Sequence, residues 1–562
     1  TIQYKNQMDR KTLLAFGLIA VVLILTPWYM SFLSPPTLDN KGTETLPSRS
    51  NLNENDPRPE REDSPSSIRS FSEELVSNQE SFVEINNGLF SARLSSRGGG
   101  SFVSFLFNNY GRYDSSFVNI IDELNKDNLI LGFVSLDGDD ISLTNNWSQI
   151  NPTSKISADL RQQTVSYETL FNGEKIKKSY TFYPNSYEIG LDLSFGNTDK
   201  YISRGQYTIS WSGGLAPSEK NLKDEYTHAK GYAYLGGELI EPGAPNDRLS
   251  KEKQTGNTLW TAVKTKYFLA AMIPETPGTG AEVSGTTKDD RPLYTTSLKQ
   301  SVNSSNKLNL YVGPLDYKLI SALGYDLEKT MNLGWAIFRP FGQLITWSLT
   351  KMYAIIPNYG LVVILFAFII KILLNPLTKK QFSSQKSMQA LQPQIQRLKE
   401  KYKNDSQKLS RAQMELFKEK GVNPMGGCLP LLLQMPILIS FFTIFRSTIE
   451  FRGAPFFGWI NDLSAPDTIT TIAGFPINVL PFLMGITMFL QQKLMAAPDG
   501  GNQQKIMMYF MNVFFLFLFY TFPSGLNLYY SVFNLLSIIQ QKYFIPDVAP
   551  APIKSGKTKK VK

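Results

Sequence analysis

The sequence predicts a multi-domain membrane protein: six transmembrane α-helices, a large all-β sandwich domain outside the membrane and a cytoplasmic helical hairpin. Three observations predict it. The apolar residues of the 562-residue chain fall into six blocks. Its charges divide between two regions. One long polar region alternates apolar and polar residues with the period of two that marks half-buried strands. The mean hydropathy of −0.17 averages these populations and hides all three.

The first block, Leu13 to Met30, contains no charge. Its charged start and apolar middle also suit a cleaved signal peptide. Ser34-Pro35-Pro36 follows it with no small-x-small cleavage site, so residues 1–33 read as an uncleaved signal anchor. Five further blocks place spans at 358–377, 423–446, 476–494, 506–522 and 524–543. Several are shorter than the ~20 residues a bilayer asks for. Flanking residues or local thinning must cover the difference.

Charge orients these spans. Residues 34–340 hold 31 Lys+Arg against 38 Asp+Glu, a net of −7, and the rest holds 26 against 10, a net of +16. The basic balance therefore belongs to the membrane part and does not signal DNA binding by the whole chain. Lys5, Arg10 and Lys11 before the first span, the basic 378–422 segment and the basic tail 544–562 all belong inside. Six spans satisfy all three, with both termini cytoplasmic and residues 34–340 outside.

In the outer region, residues 34–80 are rich in Asn, Pro, Ser, Glu and Arg and read as a disordered linker. Residues 81–318 read as the β-sandwich. Tyr187, Ile189, Leu191, Leu193 and Phe195 alternate strictly, and Asn109-Tyr110-Gly111, Asp137-Gly138 and Asn172-Gly173 supply turns. Gly98-Gly99-Gly100 lacks the Lys-Ser/Thr of a phosphate loop and reads as a bend between strands. His228 sits in a polar stretch and reads as an exposed loop residue. One Cys and one His exclude an internal disulfide and a Cys/His zinc site, and a lone His228 argues against a Ser-His-Asp or metal-hydrolase site. No catalytic residue, metal site or cofactor site is predicted, and the chain does not read as an enzyme.

Residues 319–357 mark a transition. Phe338, Phe341, Ile345 and Leu349 fall at helical spacing beside Trp347 and Lys351, which suits a helix at the membrane interface. The loops 447–475 and 495–505 read as outer and cytoplasmic respectively. In the 378–422 segment, Met388, Leu391, Ile395, Leu398 and Tyr402 form one stripe, and Leu409, Ala412 and Leu416 form a second after the Asn404-Asp405 turn. Two such stripes pack as an antiparallel pair, and Pro393 should disturb the first helix. The basic surface of this hairpin suits a solvated face, anionic lipid or RNA.

Polar residues inside the spans carry the functional signal. Lys371 is the one charge within a span core, a placement that costs ~2.5–3.5 kcal/mol on insertion scales. It suits either a polar cavity or a side chain snorkelling to the headgroups. Asn527, Tyr530, Asn534, Ser537 and Gln541 recur at 3,4,3,4 spacing and form one polar stripe on the last span. Lipid cannot satisfy such a stripe, so it must face other helices or water. Gln434, Ser440, Thr487 and Asn512 add polar atoms in other spans, for interhelical hydrogen bonds or for a wet groove.

The stretch Asn423-Pro424-Met425-Gly426-Gly427-Cys428-Leu429-Pro430, continuing through Gln434-Met435-Pro436, resembles the start of the third span in the YidC family of bacterial membrane insertases (the Oxa/Alb/YidC family). Phe522-Pro523-Ser524-Gly525-Leu526 with Tyr529-Tyr530, Asn375-Pro376-Leu377-Thr378 and Leu391-Gln392-Pro393 resemble further stretches of that family. The match is dense from about 334 to 543, and the large β domain after the first span resembles the Gram-negative form. The resemblance implies five core helices around a hydrophilic groove that receives nascent membrane proteins, alone or beside the Sec translocon. It implies a multi-pass protein of the inner membrane with a periplasmic β domain. It places the groove's basic residue at Lys371, where the family usually has Arg, and substrate contacts at Met435 and Tyr530. Gln434, Asn527 and Asn534 would line the same groove. Ribosome, signal recognition particle receptor and anionic lipid are the partners implied for the basic cytoplasmic regions. An anion channel or transporter using Lys371, and an envelope scaffold tethered by the membrane part, are the alternative functions.

Overall fold

The computed structural model describes residues 79–112, 116–331, 339–402, 405–422, 429–495 and 502–544. The signal anchor 1–33, nearly all of the linker 34–80, Phe338, the Asn423–Cys428 part of the span-three motif and the basic tail from 545 lie outside the described residues.

The alternating region folds as two facing sheets. A five-stranded sheet contains Phe82–Asn86, Phe90–Ser95, Ser101–Gly111, Phe117–Asn119 and Lys155–Ser157. A fourteen-stranded sheet takes the remaining strands up to Lys307–Pro314. The predicted strand is Glu188–Phe195, antiparallel to Glu174–Phe182 and Lys307–Pro314. Its Ile189, Leu191 and Leu193 are buried between the sheets, and Gly190 and Asp192 point away. Three tryptophans, Trp147, Trp211 and Trp260, fill the core almost without exposure.

Gly98-Gly99-Gly100 is the predicted bend, joining Phe90–Ser95 to Ser101–Gly111. All three residues have positive φ, and a Cβ on Gly99 would lie 2.5 Å from the Trp147 ring. Backbone conformation and packing both demand glycine there. His228 departs from its expected exposure. It follows the short helix α1 (Leu222–Tyr226) and is half-buried, with Nδ1 2.9 Å from the Asp224 carbonyl oxygen. Burial pulls its pKa down to about 4.

After α2 (Tyr317–Ala322), capped by Asp316 accepting from the Leu319 N–H at 3.0 Å, the chain becomes helical. In α3 (Arg339–Tyr353), Ile345 and Leu349 are buried against the helical core, while Phe341, Leu344 and Trp347 are exposed. The helix is amphipathic, with Phe341 on the same exposed side as Leu344 and Trp347. Next comes α4 (Tyr359–Leu373), N-capped by Asn358, whose side chain accepts from the Leu361 N–H at 3.0 Å. The chain then bends by 61° into α5 (Asn375–Ala390), with Pro376 in its first turn.

Two helical arms occupy the segment 378–422. Its first arm breaks at Leu391 between α5 and α6 (Gln392–Lys401), beside Pro393. The second arm is α7 (Ser406–Lys420), where Asp405 caps the start and Gly421, at φ 64°, closes the end. Leu391 and Ile395 are buried; Met388, Leu398 and Tyr402 are half-buried. Four more helices follow: α8 (Leu429–Ser447), α9 (Leu480–Met495), α10 (Asn502–Phe519) and α11 (Ser524–Phe544). Between α8 and α9 stands an antiparallel strand pair, Thr468–Ile472 with Phe475–Asn478.

Helices thus stand at all five predicted later spans. Among the described residues, however, no single helix is long and apolar enough to cross a membrane. The bent α4–α5 pair meets that length and composition only jointly. Two features explain the shortfall: α4 ends with its apolar run after 15 residues, where the polar α5 takes over, and α11 carries its polar stripe through its length.

The β domain grips the C-terminal end of α8. Arg446, in the helix's last turn, donates from Nε to Asp224 Oδ1 at 2.8 Å, and Lys266 reaches Asp224 Oδ2 at 2.8 Å. Arg452 Nε donates to Glu219 Oε1 at 2.6 Å, and the Tyr267 hydroxyl donates to the Arg446 carbonyl at 3.2 Å. Ile449 is buried in the β-domain core itself.

Candidate functional site

The polar stripe of α11 faces inward along its whole length. Asn527, Tyr530, Asn534, Ser537 and Gln541 are all buried. α11 packs on α4, α8 and α9, so helices surround the stripe. The Pro523-Ser524-Gly525 start of this helix allows close contact, because a Cβ on Gly525 would lie 2.5 Å from the Phe445 ring of α8.

The two halves of α11 differ in chemistry. Toward its N-terminus, Tyr529 stacks on Phe441 of α8 at 4.3 Å between centroids, and Tyr530 meets Phe519 of α10 edge-on at 5.5 Å. Phe445, Phe451 and Phe366 extend this aromatic plug. Asn527 donates from its amide to the Phe519 carbonyl at 3.2 Å, and its Oδ1 is sealed without a partner among the described residues. The Tyr530 hydroxyl is likewise sealed and makes no hydrogen bond of ordinary geometry, although the half-buried Gln434 side chain of α8 acts on it. Asn534 stands one turn further along.

Toward the C-terminus of α11 the lining turns polar around Lys371. This side chain is only 8% exposed. Its Nζ donates to Ser537 Oγ at 2.6 Å, and the Ser537 hydroxyl in turn donates to the Phe533 carbonyl at 2.7 Å. The ammonium lies 4.6 Å from the centre of the Phe533 ring and 5.7 Å from that of Phe382 on α5. No carboxylate pairs with it among the described residues. Lys371 therefore turns into the helix cluster, toward α11 and α5. One hydrogen bond and two ring faces leave ammonium donors unspent, so the site can accept an anionic group.

A second polar contact closes the same end. The Gln540 amide donates to Asn375 Oδ1 at 2.5 Å and to Thr378 Oγ1 at 3.0 Å, joining α11 to the α4–α5 bend. Sequence reasoning missed Gln540, Asn375 and Thr378 as site residues. The signal was available in part: Gln540 lies one turn after Ser537, and Asn375 and Thr378 belong to a motif that had carried only a resemblance. The Met435 side chain lies outside the described residues. The structure brings Lys371 and Ser537 together, and Gln434 with Tyr530. The hairpin residues Met388 to Tyr402 form a separate packing seam.

Over residues 351–549 the chain matches the family described as 60Kd inner membrane protein, and over residues 82–347 the family described as YidC periplasmic domain. It is 36% identical over 556 residues to the membrane protein insertase YidC of Chlorobaculum parvum, covering 95% of this chain and 94% of that protein. It is also 36% identical over 586 residues to the YidC of Prosthecochloris aestuarii, covering 98% and 99%. Among solved structures, an active YidC insertase crystal structure with its first transmembrane domain resolved aligns with a TM-score of 0.37 and 19% identity, covering 84% of this chain and 94% of that one.

Proposed function

The chain belongs to the YidC family of membrane protein insertases of the bacterial inner membrane, and we propose that it inserts its substrates through a polar site centred on Lys371. The observation that carries this reading is the buried Lys371 ammonium, whose single hydrogen bond among the described residues goes to Ser537. Taking an acidic substrate tail out of water is costly. A fixed positive charge in a low-dielectric site offsets part of that cost. The substrate's tail enters from the cytoplasmic end, where Lys371, Ser537 and Gln540 make the lining polar. The aromatic plug of Phe441, Phe445 and Tyr529 closes the outer end.

The substrate's apolar segment then moves along α8 and α10 into lipid, past Met435 and Tyr530. Partitioning of that segment drives the step, so no bond is made or broken and no nucleotide is consumed. In this reading α4, α8, α9, α10 and α11 form the five core spans and residues 1–33 the sixth. Both termini are cytoplasmic and the β domain is periplasmic. The Sec translocon works beside the core. The basic hairpin and tail meet the ribosome, the signal recognition particle receptor or anionic lipid. Lysine keeps the charge but lacks the planar fork of arginine, so Lys371 supplies attraction without bidentate geometry.

Insertion of an acidic-tailed substrate into vesicles tests the site. Lys371→Arg should retain insertion, Lys371→Ala should reduce it at least several-fold, and Lys371→Glu should reduce it further. Equal insertion by all three would end the claim that charge matters there.

A further inference from the structure

Among the described residues, the strand pair between α8 and α9 stands apart from the rest of the molecule. Eight consecutive residues, Thr468 to Phe475, are exposed. Ile469, Ile472 and Phe475 are 52%, 62% and 73% exposed. From Thr468 to Asn478 there is no charged residue. A two-stranded hairpin with nothing against its faces is marginal in water, and an uncharged apolar edge invites aggregation. Something must cover it.

Its base is held firmly. Asp467 Oδ2 accepts from the N–H groups of Val479 at 3.0 Å and Leu480 at 2.7 Å, tying the hairpin to the start of α9. Thr468 Oγ1 donates to Asn478 Oδ1 at 2.6 Å, and the Asn478 amide donates to the Tyr520 carbonyl at 2.7 Å, just past the end of α10. Ala473 at φ 49° and Gly474 at φ 84° make a tight turn at the tip. The hairpin is thus a defined projection from the outer ends of α9 and α10.

We propose that the outer leaflet of the bilayer covers this hairpin, with Ile469, Ile472 and Phe475 lodged at the boundary between headgroups and acyl chains. The argument is continuity. On α9, Phe482, Leu483, Ile486, Leu490 and Leu494 are exposed at helical spacing, an apolar stripe that begins where the hairpin ends. The hairpin's apolar residues extend that stripe outward. Its depth follows from the backbone: the outer edges of two strands carry unpaired N–H and C=O groups, which hydrocarbon cannot satisfy and headgroups and water can. Thr468, Thr470 and Thr471 suit the same polar boundary. This inference rests on reading α9 as a membrane span.

Spin labels on single cysteines in the full chain, with Cys428→Ser as background, test it in vesicles of phosphatidylethanolamine and phosphatidylglycerol. Labels at Ile472→Cys and Phe475→Cys should collide several-fold more with oxygen, relative to a water-soluble nickel chelate, than a label at Leu160→Cys, whose native residue is 95% exposed on the β domain. Both should lie shallower than a label at Ile486→Cys. Nickel access at the tip equal to that at Leu160→Cys would overturn the proposal, as would tip labels shielded from both reagents, which marks protein contact. If the Ile486→Cys label is itself open to nickel, the span reading fails and this inference with it; a buried Ile486→Cys label beside a wet tip refutes the hairpin's insertion alone.

Discussion

Lys371 depends on a neighbour that carries no charge. Among the described residues its one hydrogen bond goes to Ser537, and a hydrogen bond to an ionised group contributes about 1.5–3 kcal/mol. Ser537→Ala should therefore lower the melting temperature of the purified protein, and Lys371→Met should change it as well. The double variant should lose less than the sum of the two, because each single change removes the same contact. Strict additivity in thermal unfolding would mean that the hydroxyl does not hold the ammonium. Much of this pair was legible in the sequence. A polar stripe at 3,4 spacing points inward on physical grounds alone, whereas a charge within an apolar block left snorkelling open. The pairing was not legible, since 166 residues separate its members. Gln540 escaped because one stripe was drawn down the helix, whereas the buried face is wide enough to hold both Gln540 and Gln541.

At the scale of elements, local rules set most outcomes. The period-two run from Tyr187 to Phe195 became a strand with its odd-numbered residues inward, except that Phe195 at the end is only half-buried. Pro393 interrupted the first hairpin arm, and Asp405 capped the second. The glycine bend gives a sharp prediction. Gly99→Ala places a methyl group 2.5 Å from Trp147 and forces a positive φ on a residue that resists it. Overpacking costs about 1–3 kcal/mol, and the left-handed backbone adds ~1 kcal/mol or more. Unfolding of the β domain, followed by tryptophan fluorescence, should shift to clearly lower denaturant. By comparison, Gly138→Ala at a turn with open space around it should cost less, because only the backbone term applies. The helices show where sequence reading stops. The apolar run that ends at Leu374 beside Pro376 marks where α4 stops, but not the 61° angle at which the chain continues. That bend is stabilised by Gln540 from the far end of the chain.

For the whole molecule, the question is whether the β domain is a passenger on a tether. Its contacts with the end of α8 argue against that, and their pairing of Asp224 with Arg446 across 222 residues was invisible to any sequence pattern. Asp224→Asn should weaken the joint by leaving Lys266 and Arg446 without their shared counter-charge. It should lower thermal stability without abolishing insertion, since the joint lies at the opposite end of the helix cluster from Lys371. Loss of insertion equal to that in Lys371→Glu would shift the balance toward a scaffold whose β domain does the work. Glu450 adds a pH dependence to the same joint. It follows α8 directly, its Oε2 is sealed without a partner among the described residues, and burial, reinforced by Asp316, raises its pKa from 4.5 to about 7. The folded protein therefore holds a proton there that the unfolded chain has released between pH 4.5 and about 7. Stability falls as pH rises through that window, because the unfolded state binds fewer protons. The loss approaches about 3 kcal/mol above the upper value, at 1.36 kcal/mol per unit. Glu450→Gln keeps the shape and has no proton to lose. Melting temperatures of the two proteins should nearly coincide at pH 5 and separate progressively to pH 8, with the Gln variant the more stable. Parallel curves across that range would show that Glu450 stays ionised and finds its counter-charge in the folded joint, with Arg452, whose guanidinium already acts on the adjacent Tyr110, the first candidate.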